Sequence, residues 1–118
     1  MPYLHLETTA DLPENADVPD ILEALAEALA GLESVERKTV RAYHSLRSVW
    51  VVGPGAPPGF AHLTASVMEG KTVEWRAELS KGLLGALRES FRASLAAQEA
   101  AITVEIREIE ADSYLRVE

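Results

Sequence analysis

Cysteine is absent from this 118-residue sequence. The absence excludes disulfide scaffolds, zinc sites built on thiolates and cysteine nucleophiles. Cations are also scarce, because 11 lysines and arginines stand against 19 aspartates and glutamates and leave a net charge of −8. So few scattered cations hardly supply the basic patch that binding to nucleic acid requires. We therefore expect no nucleic-acid partner.

Long apolar runs and a secretory leader are absent as well. The apolar runs are far shorter than the roughly 20 residues of a membrane-spanning helix, and no basic segment followed by an apolar one opens the chain. We expect a cytoplasmic protein with no membrane partner. With 47% hydrophobic and 25% charged residues, the composition is typical of a globular protein.

The first half of the chain has the pattern of a strand, a helix and a strand. Residues 2–8 alternate between polar and apolar side chains, which predicts a half-buried strand. Apolar residues then recur on one helical face and predict a helix that begins after Asp17 and ends near Gly31. Residues 39–52 alternate again and end in the β-forming run 49–52, so we expect one further strand.

The second half repeats this order after a glycine- and proline-rich segment, residues 53–59, which we expect to be a surface loop. Residues 60–68 alternate like a strand. Thr72 can cap a helix whose apolar residues recur every four positions as far as Leu95, and residues 101–109 predict a last strand. Within that helix lie Gly82 and Gly85, which we interpret as points of close packing on the sheet.

The chain is therefore predicted to be one domain, residues 1–118, made of pseudo-repeats 2–52 and 60–109 and a charged tail at 110–118. Helices of this length can connect parallel strands. The expected fold is α/β (α+β), with a tandem β-α-β repeat that forms one four-stranded mixed sheet and two helices on one face. The other face has no helix, and if it is apolar it must be covered by another subunit.

Pro2 is the most informative candidate for chemistry. Aminopeptidases remove an initiator methionine that precedes a small residue, and removal of Met1 would leave a free secondary amine at the start of the first strand. An α-amino group titrates at about 8, and burial or nearby cations lower its pKa. Such an amine can serve as a general base near neutral pH. Taken alone, a proline at the start of a strand is commonly structural.

Three cations are candidates for binding the carboxylates of a small anionic substrate. Arg41 and Arg47 lie on the same face of the second predicted strand, and Lys71 comes directly before the second predicted helix. Backbone N–H groups at that helix start would help to hold an anion. For Arg47, an ordinary solvated charge on the surface is at least as good an explanation.

Neither a metal nor a cofactor is expected. The histidines occur one per predicted strand, at His5, His44 and His62, whereas metal sites usually show closer ligand pairs. We interpret these histidines as structural residues.

These features together resemble the tautomerase superfamily and, within it, the 5-carboxymethyl-2-hydroxymuconate isomerase family. The resemblance extends over about the first hundred residues. It rests on Pro2 opening a strand, on the doubled β-α-β plan, and on the segments Glu14-Asn15-Ala16-Asp17-Val18-Pro19, Val40-Arg41 and, above all, Phe60-Ala61-His62-Leu63-Thr64 followed by Gly70-Lys71-Thr72.

The resemblance implies a homotrimer with an active site near each N-terminus that a neighbouring subunit helps to build. It implies cofactor-independent isomerisation of a hydroxymuconate-type tricarboxylate in homoprotocatechuate degradation. The family's catalytic proline corresponds to Pro2, and a substrate-binding arginine corresponds to Arg41. Lys71 stands where the family usually has arginine, and lysine keeps the charge but loses the two-pronged contact with a carboxylate.

Two alternatives stay open at this point. One is a tautomerase of another keto-enol acid, such as a phenylpyruvate-like or oxalocrotonate-like compound. The other is a non-catalytic trimeric binding or scaffold protein with the same fold.

Overall fold

The computed structural model describes residues 2–118. Over these residues the chain forms four strands, β1 (Tyr3–Thr9), β2 (Arg41–Arg47), β3 (Gly59–Met68) and β4 (Ala100–Ile109). The helices are α1 (Val18–Ala30), α2 (Val73–Ser90) and the short α3 (Arg92–Ala96). Short 3-10 helices lie at Pro13–Asp17, Arg37–Thr39 and Ala111–Ser113.

The strands form one mixed sheet in the order β2-β1-β3-β4. β1 is parallel to β2 and β3 is parallel to β4, whereas the central strands β1 and β3 run antiparallel. Each half of the chain is therefore a β-α-β unit, and the two units meet along the β1–β3 pair. The predicted four-stranded mixed sheet of tandem β-α-β units is confirmed.

The helices cover one face of the sheet and enclose the core. Alternate residues of β1 and β3, among them Leu4, Leu6 and Leu63, are fully buried there. The helices contribute buried residues at Ile21, Leu25, Leu29, Leu79, Leu83 and Leu87. Full burial of one such side chain contributes roughly 1.5–3 kcal/mol. No helix within residues 2–118 is both long enough and apolar enough to cross a bilayer.

The opposite face of the sheet has no helix on it, and it is polar. The Nε2 atom of His5 lies 2.9 Å from the Ser45 hydroxyl, and the His5 ring stacks on Tyr43 with centroids 4.5 Å apart. On the neighbouring strands, His62 Nδ1 lies 2.6 Å from the Thr103 hydroxyl. We expected another subunit to cover this face if it were apolar. Because the face is polar, self-association needs support from another observation.

The run at 49–52 does not form a strand, which corrects the predicted extent of β2. Val49 and Val51 are 92% and 91% exposed, and the Trp50 indole donates a hydrogen bond to the Pro58 carbonyl at 2.8 Å. β-formers need a neighbouring strand to pair with. The neighbour, β1, ends at the residue paired with Arg47, so the chain turns into a loop instead.

Helix α2 begins as predicted but ends earlier. The Thr72 hydroxyl accepts a hydrogen bond from the Trp75 backbone N–H at 3.0 Å and so caps the helix. Phe91, with φ −109° and ψ 24°, interrupts the helix before α3. Gly82 and Gly85 are exposed, and an added Cβ atom at either position would meet no atom within 4 Å. Our interpretation of these glycines as close-packing points is wrong.

Candidate active site

A pocket of about 190 Å³ opens beside Pro2. The start of β1, the end of β3, the start of α2 and the segment 34–39 meet there. Its apolar lining comes from Val35, Val67, Met68 and Trp75, while Lys71 adds a positive charge and Glu36 a negative one. The pocket therefore combines an apolar wall, a cation and the residue with the candidate base.

The β1–β2 pairing positions Pro2. Its carbonyl accepts a hydrogen bond from the Arg41 backbone N–H at 3.0 Å, which extends the pairing of the two strands to this residue. A proline at the start of a strand loses no ladder hydrogen bond. Pro2 is half-buried and shares the helix-covered side of the sheet with Leu4. Met1 lies outside the described residues, so its removal stays a prediction.

Lys71 reaches the same pocket from the turn between β3 and α2. Gly70, with φ +102°, makes this turn in the left-handed region that favours glycine. Lys71 is half-buried, and its Nζ atom lies 4.9 Å from the centroid of the Trp75 ring. The structure thus brings Pro2 and Lys71, two of the residues singled out from the sequence, to one pocket.

Arg41 lies on the opposite face of the sheet from this pocket. It pairs in register with Tyr3, and both side chains are on the open face. Its Nη1 atom donates hydrogen bonds to the carbonyls of Lys38 and Val40 at 3.0 and 3.3 Å, and its Nη2 atom lies 3.8 Å from Glu118 Oε2. The fold of one chain therefore does not direct Arg41 into its own Pro2 pocket.

Arg47 lies at the far end of β2. It pairs with Thr9, which at about 3.3 Å per residue is roughly 20 Å along the sheet from Pro2. Its Nε and Nη2 atoms donate to Glu7 Oε2 at 3.0 and 2.7 Å. This hydrogen bonding lowers the pKa of Glu7. The structure does not bring Arg47 to the Pro2 pocket of the same chain.

The charged tail returns to the open face beside Arg41. The hydroxyls of Tyr114 and Tyr3 are 3.2 Å apart, and this hydrogen bond raises the pKa of Tyr114. The next apolar residues, Leu115 and Val117, are exposed. The tail thus contacts the sheet through Tyr114 and leaves its last apolar side chains in solvent.

Trp75 is a pocket residue that sequence reasoning did not single out. Its position in the first turn of α2, close in sequence to Lys71, is a signal, because both residues then lie at the same end of the helix. Val35 and Met68 gave no signal, since only the folded chain brings them to Pro2. Among residues 2–118, no group of three or more His, Cys, Asp or Glu side chains is arranged to hold a metal ion.

Comparison with known proteins gives the family and the fold of this chain. The family described as CHMI, 5-carboxymethyl-2-hydroxymuconate isomerase, matches residues 2–117. A crystal structure of a 5-carboxymethyl-2-hydroxymuconate isomerase from Deinococcus radiodurans R1 is similar, with a TM-score of 0.88 and 26% identity over 98% of this chain and 88% of that chain. No curated protein sequence matches this chain significantly.

More distant structures share the fold. A 5-carboxymethyl-2-hydroxymuconate delta-isomerase has a TM-score of 0.84 at 17% identity, over 99% of this chain and 87% of that one. A fused 4-OT described as a symmetric trimer has a TM-score of 0.72 at 21% identity, over 92% and 85%. Since the family match spans nearly every residue, the chain belongs to the 5-carboxymethyl-2-hydroxymuconate isomerase family and is an isomerase with the tautomerase fold.

Proposed function

We propose that this isomerase is a cofactor-independent tautomerase of 5-carboxymethyl-2-hydroxymuconate in homoprotocatechuate degradation, with Pro2 as its base. The observation that carries the proposal is that Pro2 and Lys71 line one pocket in a chain of this family. The apolar wall excludes water around the amine, and the lysine offers a partner for a carboxylate. The pocket thus has the groups that proton transfer within a conjugated acid requires.

The reaction begins when the Pro2 amine takes a proton from the enol hydroxyl of the 2-hydroxy-dienoate. The electron pair moves along the conjugated system as the 2-oxo group forms. The protonated amine then returns the proton to a carbon two or four atoms further along. Lys71 and Arg41 bind carboxylates and stabilise the negative charge that develops on oxygen.

The net charge of −8 opposes an anionic substrate. Charges farther away than about 8 Å are largely screened at physiological ionic strength. Among the charges that line the pocket, Glu36 offsets Lys71, so the proposal needs the positive charge of Arg41 from a neighbouring subunit.

The proposed assembly is a homotrimer in which Arg41 of one subunit completes the pocket of a neighbour. The placement of Arg41 and the pocket on opposite faces of one sheet supports this arrangement, because an arginine on the open face can contact a chain that packs on that face. The helix-free sheet face is available for contact between subunits, and fused 4-OT, a structure of similar fold, is a symmetric trimer. Arg47 is also on that face, but it is paired with Glu7, and we assign it no role in substrate binding.

Replacement of Arg41 by alanine tests the proposal. We expect a loss of about 2–4 kcal/mol of transition-state stabilisation, which is roughly 30-fold to 900-fold in kcat/KM. Arg37→Ala is the matched control, because Arg37 is an exposed arginine nearby that pairs with Glu27. Ketonisation is followed by ultraviolet absorbance. Equal kcat/KM for the Arg41→Ala variant and the wild type would remove Arg41 from the site.

Mixed oligomers test whether Arg41 acts across subunits. Chains with Arg41→Ala are expected to be strongly impaired, and chains with a blocked Pro2 amine are expected to be inactive. Refolded together, they should regain activity, because a free Pro2 of the first chain meets an intact Arg41 of the second. Light scattering should report a trimer. A monomer at micromolar concentration, or mixed trimers without activity, would contradict this assembly.

A second candidate substrate class is a keto-enol acid with an apolar arm. The apolar lining from Val35, Val67, Met68 and Trp75 favours it. A panel of 5-carboxymethyl-2-hydroxymuconate, 2-hydroxymuconate and phenylenolpyruvate distinguishes the two classes. Preference for phenylenolpyruvate by kcat/KM would replace the first substrate with the second and leave the chemistry of Pro2 unchanged.

A further inference from the structure

We propose that Trp75 is a positioning residue that holds the Lys71 ammonium in the Pro2 pocket and thereby sets the affinity for substrate carboxylates. This inference rests on the proposed function, which gives Lys71 a carboxylate to bind. Trp75 does not react in this scheme. It acts through Lys71.

The contact between the two residues has the geometry of a cation–π interaction. The Lys71 Nζ atom lies 4.9 Å from the Trp75 ring centroid, within the roughly 6 Å over which an ammonium is attracted to an aromatic face. A lysine binds a carboxylate as a point charge on a flexible stem. The indole face restrains this stem, so less conformational freedom is lost when a carboxylate binds.

Trp75 is itself fixed by one hydrogen bond from its backbone and one from its ring. Its backbone N–H donates to the Thr72 hydroxyl at 3.0 Å, and its indole N–H donates to the Glu33 carbonyl at 3.1 Å. The ring is also half-buried and packs against the core. Since both backbone and ring are held, the indole presents a defined face to Lys71.

The hydrogen bond from the Trp75 indole to Glu33 also supports the pocket wall formed by Ser34 and Val35. The carbonyl that accepts this bond belongs to Glu33. The next residue, Ser34, has a φ of +73°, in the left-handed region that a serine rarely adopts. Ser34 and Val35 follow as lining residues of the pocket. Trp75 thus joins the segment after α1 to the cation at the start of α2.

A double-mutant cycle between Trp75 and Lys71 tests the proposal, with 2-hydroxymuconate as the substrate. Trp75→Leu should raise KM roughly threefold to thirtyfold with little change in kcat, because a cation–π contact has about this strength and acts on binding. In a Lys71→Met background the same replacement should change KM less than about twofold. Trp75→Phe keeps an aromatic ring and should raise KM less than Trp75→Leu does.

The chain offers matched controls. Trp50→Leu removes the other tryptophan, whose indole N–H donates a hydrogen bond to the loop carbonyl of Pro58. Lys81→Met removes an exposed lysine of α2, the helix that contains Trp75. Both should leave KM unchanged. The uncharged dimethyl ester of 2-hydroxymuconate is the substrate control, since it has no carboxylate for Lys71 to bind and its KM should not respond to Trp75→Leu. If Trp75→Leu does not fold, Trp75→Phe carries the cycle, and its smaller rise in KM must vanish in the Lys71→Met background.

The outcomes separate this inference from the proposed function. If the wild type with a free Pro2 turns over neither 2-hydroxymuconate nor the other acids, the proposed function fails and the inference fails with it. If the wild type is active but Trp75 and Lys71 variants have additive effects, only the inference is overturned. If Trp75→Leu raised KM equally for the acid and for its dimethyl ester, Trp75 would likewise have a structural role alone.

Discussion

Replacement of both Gly82 and Gly85 by alanine is expected to raise the free energy of unfolding by about 1–2 kcal/mol. Glycine within a helix loses more backbone entropy on folding than alanine. The new methyl groups would meet no atom within 4 Å, so no clash offsets this gain. The substitutions also test the proposed trimer, because its subunits contact one another through the sheet and leave this side of α2 in solvent.

The expected change in melting temperature follows from the size of the chain. Unfolding of 118 residues has an entropy of about 0.25 kcal/mol per kelvin, so the double variant should melt roughly 4–8 °C higher. Differential scanning calorimetry measures the shift, and light scattering and turnover follow assembly and activity. Gly55→Ala is the matched control. Gly55 also has open space around it but has φ +84°, so alanine there should lower stability.

A lower melting temperature for the double variant would refute this reasoning. So would loss of the trimer, because it would mean that a neighbouring subunit covers the outer side of α2. An unchanged melting temperature would show that the two glycines do not lower the stability of the helix.

Two further predictions concern titratable groups outside the pocket. Arg47→Gln should return the pKa of Glu7 towards 4.5, since the lost hydrogen bond is the main cause of its lowering, and should change kcat/KM less than about twofold, because this exposed pair lies far from Pro2; a loss like that of Arg41→Ala would place Arg47 in the site. Burial lowers the pKa of His44 below 6.5, so the fold favours its neutral form. The stability this provides should be complete above pH 6.5 and decline as the pH falls through the folded-state pKa, whereas an NMR titration midpoint for His44 at or above 6.5 would contradict this.

Alternation along the sequence was sufficient to predict β1, β3 and β4, because one face of each strand packs on the helices. The same rule failed at 49–52, where β-forming side chains have no neighbouring strand. Strand pairing is non-local, so propensity alone could not reveal that β1 ends at Thr9 and leaves Val49 and Val51 in solvent. The end of α2 was missed because the leucine spacing continues through Phe91 while the backbone leaves the helical region there.

The candidate site was predicted in part. Pro2 and Lys71 were selected from their places at the start of a strand and a helix, and the fold brings both to one pocket. Trp75 and Val35 could not be assigned, since their approach to Pro2 depends on how α2 and the segment after α1 pack. Arg41 shows a further limit. Its face of the sheet is open in a single chain, and the pocket that we propose it completes belongs to an assembly that strand patterns do not specify.

The most direct test of the central proposal compares one protein before and after removal of Met1. Mass spectrometry gives the fraction of chains that begin at Pro2, and methionine aminopeptidase converts the remainder. Only a free Pro2 amine can accept a proton, since a preceding residue makes this nitrogen an amide. Ketonisation should therefore rise in proportion to the fraction of chains that begin at Pro2. Equal turnover by chains that keep Met1 would contradict the assignment of Pro2 as the base.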